Sequence, residues 1–242
     1  MVITYNTITM NGGLIMVLKI LLISLAGLAA DVWFIKTEYA GKMAKATLLK
    51  GAASFFFVVL GLVCYAAQKT DFGRLVLIGL ILGLVGDVFL NLRNQFTGGK
   101  SMKIFAVGIL AFLSGHFLYI AALIGRSPAI ILPALIATAV LSALAIPPLM
   151  KRITAPSAGL KIFGYVYLVV VIAMFSCAAA LLVTLGAGAL TLVFTLGALL
   201  FVVSDFIMIY YSFGKKIKPL RAINLLCYYV GQLMIAVCIL LA

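Results

Sequence analysis

Apolar residues run through this chain in blocks too long and too unbroken for a water-facing helix or an alternating strand. Between charged or Pro/Gly-marked breaks they predict spans at Leu14–Ile35, Leu48–Ala67, Leu75–Leu92, Ile104–Ile124, Ala129–Met150, Ile162–Leu185, Ala189–Tyr211 and Leu220–Leu241. Each is close to the roughly 20 residues that cross a hydrocarbon core about 30 Å thick. Lipid leaves exposed backbone groups unsatisfied, so such runs must be helices. The expected fold class is therefore an all-α polytopic membrane protein of eight transmembrane helices, a single transmembrane domain over residues 1–242. Short connections, with turn signals such as Thr97-Gly98-Gly99 and Pro147-Pro148, leave no room for an inserted soluble domain.

Composition removes the alternatives. Apolar residues make up 66% of the chain and charged ones 10%, and the mean hydropathy of +1.32 excludes a water-soluble fold. The N-terminal segment before Leu14 has neither a basic stretch nor a small-residue cleavage pattern, so the first run is read as a retained span. Cys64, Cys177, Cys227 and Cys238 lie inside apolar runs without paired spacing and read as packing residues. The net charge of +13 is distributed unevenly: with the flanking Lys50 and Arg221 counted, the first, third, fifth and seventh connections hold 4, 3, 3 and 4 lysines or arginines. The opposite side holds Lys69, Arg74 and Arg126. By the positive-inside rule both termini face outward and the basic collar faces the cytoplasm, in an inner membrane of bacterial type. The collar suits anionic lipid head groups, so the partner expected is the lipid bilayer and not nucleic acid. Lys19, near the outer end of the first span, reads as a snorkelling residue.

A weak repeat relates the halves. Leu82-Gly83-Leu84-Val85-Gly86-Asp87-Val88-Phe89-Leu90 resembles Leu200-Phe201-Val202-Val203-Ser204-Asp205-Phe206-Ile207-Met208, and Gly115-His116 then aligns with Gly231-Gln232. Two parallel four-helix repeats, 14–124 and 129–241, would explain the match; chance similarity between apolar segments is the alternative.

Five residues are acidic. Asp31, Glu38 and Asp71 fall at helix ends or in connections and are expected to be solvated, whereas Asp87 and Asp205 fall well inside their spans at equal depth. A central aspartate costs about 2.5 to 3.5 kcal/mol to insert, so such residues face the bundle interior and mark function. Gly79, Gly83 and Gly86 share the Asp87 face and allow a close helix neighbour. Gly108, Phe112, Gly115, His116 and Tyr119 recur at helical spacing, as do Asn224, Tyr228 and Gln232. Lys50, with Ser54 one turn on, and Tyr167 stand where they could reach the carboxylates from the cytoplasmic side. Taken singly, His116, Tyr167, Tyr229 and Gln232 read as packing or hydrogen-bonding residues, and Lys50 as a lipid-facing collar lysine. One histidine and scattered cysteines do not assemble a zinc set, and no cofactor is expected.

These segments resemble the YhhN-like lysoplasmalogenase family of eight-span membrane proteins from about Lys50 to the C-terminus. The resemblance is carried by Gly79-Leu80, Gly86-Asp87 and Leu90; Gly108, Phe112, Gly115-His116 and Tyr119; Tyr167 and Met174; Gly197-Ala198, Phe201 and Ser204-Asp205; and Tyr229 with Gln232. Where the family has Lys-Pro, this chain has Lys50-Gly51. The resemblance implies hydrolysis of the vinyl ether bond of a lysophospholipid substrate, a lysoplasmalogen, to a fatty aldehyde and glycerophospho-ethanolamine or glycerophospho-choline. Two carboxyl groups, one protonated and one ionised, suit the oxocarbenium ion of that reaction. Asp87 and Asp205 are then the expected catalytic pair, with His116, Tyr229, Gln232, Tyr167 and Asn224 orienting and Lys50 holding the phosphate. A proton-coupled transporter of a small amphiphile is the alternative from another class, and a noncatalytic lipid-binding scaffold is a third.

Overall fold

A computed structural model describes residues 2–154 and 158–242, with side chains from Gly12 onward. It is all-helical, with α1 at Val2–Tyr39, α2 at Met43–Ala67, α3 at Asp71–Leu92, α4 at Gly98–Arg126, α5 at Ile131–Met150, α6 at Ala158–Leu185, α7 at Ala189–Phe213 and α8 at Lys218–Leu241. All eight are long and apolar enough to cross a membrane. Each predicted span lies within one of these helices or overlaps nearly all of it, and several helices run one or two turns further. The extensions have local causes. Thr70 accepts from the Gly73 N–H at 3.0 Å and starts α3, with Asp71 in the positive first turn. Gly41, at φ 74°, closes the turn after α1, in the left-handed region that glycine enters without strain.

Packing falls into a two-fold pattern. Neighbours pair as α1 with α2, α2 with α3 and α3 with α4 in one half, and as α5 with α6, α6 with α7 and α7 with α8 in the other. The halves are joined by α2 against α8 and α6 against α4, which exchange when the halves are exchanged, and also by α8 against α1 and α3, contacts without a counterpart of that extent in the other half. Glycine makes the tightest of these crossings: a Cβ on Gly115 would stand 3.1 Å from the Gly79 carbonyl oxygen, and one on Gly231 would stand 2.8 Å from that of Gly197. Backbone contacts this close need small residues on both helices.

The buried core is a continuous cluster, including Phe57, Leu80, Tyr119, Phe194, Phe201 and Tyr229. Leu22, Leu132 and Leu144 stand outward on α1 and α5, where lipid is the solvent. The connections after the odd-numbered helices meet at one end of the bundle, which carries the basic collar.

Candidate functional site

The site is built where α2, α3, α6, α7 and α8 pass one another. Asp87 on α3 is 1% exposed and fully engaged. Lys50 Nζ from α2 lies 3.1 Å from its Oδ1, while the Ser54 hydroxyl at 2.6 Å and the Tyr228 hydroxyl at 2.7 Å both donate to Oδ2. Lys50 and Ser54 are one helical turn apart, which is why a single face of α2 supplies both. Both oxygens are thus engaged, one of them by a cation. Tyr229 adds a second layer, with its hydroxyl 3.1 Å from Ser54 Oγ and donating to the Lys50 carbonyl at 3.3 Å.

Asp205 on α7 is 3% exposed and differently held. The Tyr167 hydroxyl from α6 donates to its Oδ2 at 2.7 Å, and no cation stands within ion-pair distance among the described residues. Aromatic rings pack around the donors to the two carboxylates. The His116 ring meets Phe201 edge-on at 4.7 Å and Tyr167 at 5.9 Å, and Phe201 meets Tyr228 at 5.3 Å. Gln232 ties the far side, accepting from Tyr119 at 3.1 Å and donating to the Tyr228 hydroxyl at 3.3 Å.

A cavity of about 400 Å³ leads from the basic end down to these groups. Lys50 and Tyr167 line it, while Asp87 and Asp205 stand behind them. Arg93, Lys161 and Lys216 are nearer its mouth, with no ion pair to a carboxylate among the described residues. Arg221 also lines it, but its guanidinium is held at 2.9 Å by both Glu38 oxygens.

Several sequence expectations are corrected. Lys50 does not face lipid: it is 6% exposed and pairs with Asp87, so it is not a free phosphate ligand. Asp31 is not solvated either, because α1 continues two turns past it and buries it completely; both its oxygens lack a hydrogen-bond partner among the described residues. Glu38 is bound to Arg221 and not to water alone. Asp71 is exposed as expected, beside Arg74 at 3.1 Å.

The orienting residues divide. Tyr167 joins the carboxylate networks directly, Tyr229 through Ser54, and Gln232 through Tyr228. His116 bonds neither aspartate: its Nδ1 donates to the Phe112 carbonyl at 2.7 Å, and its buried Nε2 has no partner among the described residues. Asn224 serves the scaffold, donating to Ser204 Oγ at 2.8 Å and accepting from Arg221 at 3.0 Å. Tyr228 and Ser54, which the sequence places in a polar stripe and one turn from Lys50, are the direct donors to Asp87.

The model of the YhhN family matches residues 45–239, which is most of the chain. The chain belongs to the YhhN family. The matched segment of this YhhN chain runs from the start of α2 to the end of α8, so it takes in both aspartates, Lys50, Tyr167 and Tyr228, and leaves out Asp31 and Glu38 on α1. No curated protein and no solved structure matches the chain. As a YhhN family member with eight apolar helices it is an integral membrane protein.

Proposed function

We propose that the protein hydrolyses the vinyl ether bond of lysoplasmalogens, releasing a fatty aldehyde and a glycerophosphodiester. The observation that carries this reading is the contrast between two buried aspartates behind the lining of one cavity, one ion-paired to Lys50 and one bonded to Tyr167. Vinyl ether hydrolysis needs an acid for the distal alkene carbon and a base for water, and two carboxyl groups in unlike surroundings can divide those roles.

In this reading Asp205 is the acid. When it is protonated, its 2.7 Å contact carries the proton to the Tyr167 oxygen, and the tyrosine hydroxyl hydrogen points into the cavity. Tyr167 gives that hydrogen to the alkene carbon and takes the Asp205 proton in return. The alkene becomes an oxocarbenium ion. Water adds to the carbon bearing the oxygen, and its proton passes through the cavity-lining Lys50 ammonium to Asp87, 3.1 Å behind it. The hemiacetal then collapses: its hydroxyl proton passes through Tyr167 back to Asp205, and the proton on Asp87 returns through Lys50 to the glycerol oxygen, which leaves as an alcohol. The aldehyde remains, one water is consumed, and both carboxyl groups regain their starting states. The phosphate falls to Arg93, Lys161 and Lys216, since Lys50 and Arg221 are already paired.

The test is incubation of purified protein with matched alkenyl and acyl lysophospholipids, followed by mass spectrometry for aldehyde and glycerophosphodiester. Aldehyde from the alkenyl series is expected. If alkenyl substrates survive, or acyl chains are released as fatty acid at a similar rate, the reading is wrong.

A further inference from the structure

A second hollow of about 600 Å³ lies between the end of α5 and the start of α6, apart from the cavity that reaches the aspartates. Its walls are almost wholly apolar: Pro147 and Met150 from α5, and Ile162, Tyr165 and Val166 from α6. Lys151 and Lys161 stand at its basic end. Two residues, Met150 and Lys161, line both hollows, so one partition separates them. Val166 precedes Tyr167, and from Lys161 to Val166 the helix rises roughly 7 Å at 1.5 Å per residue. The groove therefore runs from the charged collar to the depth of the tyrosine on the site's floor. On α6 one face belongs to the groove and the other to the cavity.

We propose that this groove binds the hydrocarbon chain of a single-chain phospholipid whose phosphate rests among Lys151, Lys161 and the mouth of the cavity. It is the lateral route from bilayer to site. This rests on the lysolipid reading above and extends it. The charge pattern selects this occupant: a neutral hydrocarbon has no use for two lysines at one end, whereas an amphiphile with an anionic phosphate matches both the apolar trough and its basic end. The trough opens toward lipid, as the exposure of Ile162 at 66% and Val166 at 48% requires. A chain laid there buries apolar surface along several methylenes.

The experiment separates binding from turnover. A non-hydrolysable alkyl-ether lysophospholipid with a diazirine near its chain end is photolysed with the purified full-length protein, and adducts are mapped by mass spectrometry. Saturable labelling of Met150 or Ile162–Val166, competed by excess unlabelled lysolipid, is expected. Labelling spread over the outer faces of α1 and α5 without saturation overturns the proposal, whatever the protein hydrolyses. Val166→Trp and Ile162→Trp then fill the groove at positions already exposed and tolerant of volume. Each should reduce the adduct yield, and should raise KM for a long-chain alkenyl substrate about tenfold, equivalent to roughly two methylenes no longer buried. kcat should stay unchanged, and so should KM for a short-chain homologue. Leu132→Trp, on the outer face of α5, should change nothing. An equal effect on long and short chains, or none on labelling, contradicts the groove as the chain site.

Discussion

Asp87 and Asp205 occupy matching places in the two halves of the bundle, yet their surroundings diverge. The partner of Asp87 across the adjacent helix is Lys50, 37 positions earlier; the partner of Asp205 is Tyr167, 38 positions earlier. One equivalent face thus offers an ammonium in the first half and a phenol in the second. Asp87 is surrounded by donors on both oxygens, one of them a cation. Asp205 has a single neutral donor. The difference in chemistry comes from Lys50, Ser54 and Tyr228 around one carboxylate and Tyr167 alone at the other.

The contrast predicts that substitution at the first site costs stability as well as turnover, and that substitution at the second costs turnover alone. Asp87→Asn leaves the Lys50 ammonium buried without a counter-charge and should cost about 3–5 kcal/mol, read as a lower thermal midpoint in detergent. Adding Lys50→Met should recover most of that loss; a double variant no more stable than the single one would show that the ion pair is not the reason. Tyr167→Phe should leave the midpoint within a few degrees but slow aldehyde release by about 100-fold, within the range expected for a proton-transfer group. Unchanged turnover would remove Tyr167 from the proton path. Tyr228→Phe removes one bond to a charged group and should destabilise by about 1.5–3 kcal/mol, again read by thermal unfolding. The smallest effect belongs to Asp31→Leu: its carboxyl group has no partner among the described residues, so its removal should be neutral or stabilising by about 1 kcal/mol. A large loss there would place Asp31 in the network.

Much of this was legible in the order of residues. Eight helices follow from run length and hydropathy, because lipid imposes helical structure on any long apolar segment. The interior placement of Asp87 and Asp205 follows from the cost of exposing a carboxylate to lipid, and the tight α3–α4 crossing from Gly79 and Gly115. What stayed hidden depends on how separate helices meet. The direction in which Lys50 points is set by the packing of α2 against α3, and a lysine near a helix end looks the same whether it faces lipid or a carboxylate. Glu38 and Arg221 are 183 positions apart and pair because α1 packs on α8. Asp31 stands near the end of its apolar run, but α1 continues past that run to Tyr39, which places the residue in the interior. The separation between cavity and aspartates also has no sequence signature: Lys50 and Tyr167 were legible as neighbours of the pair, but not as the groups that face the open space.

The central claim is that the poorly paired carboxyl group supplies the proton, and Asp205→Asn tests it most directly. Aldehyde release by this variant from an alkenyl lysophospholipid should fall by about 10²–10⁴-fold, with the thermal midpoint and chromatographic behaviour of the unaltered protein. A folded Asp205→Asn variant that turns over at close to the original rate would contradict the account.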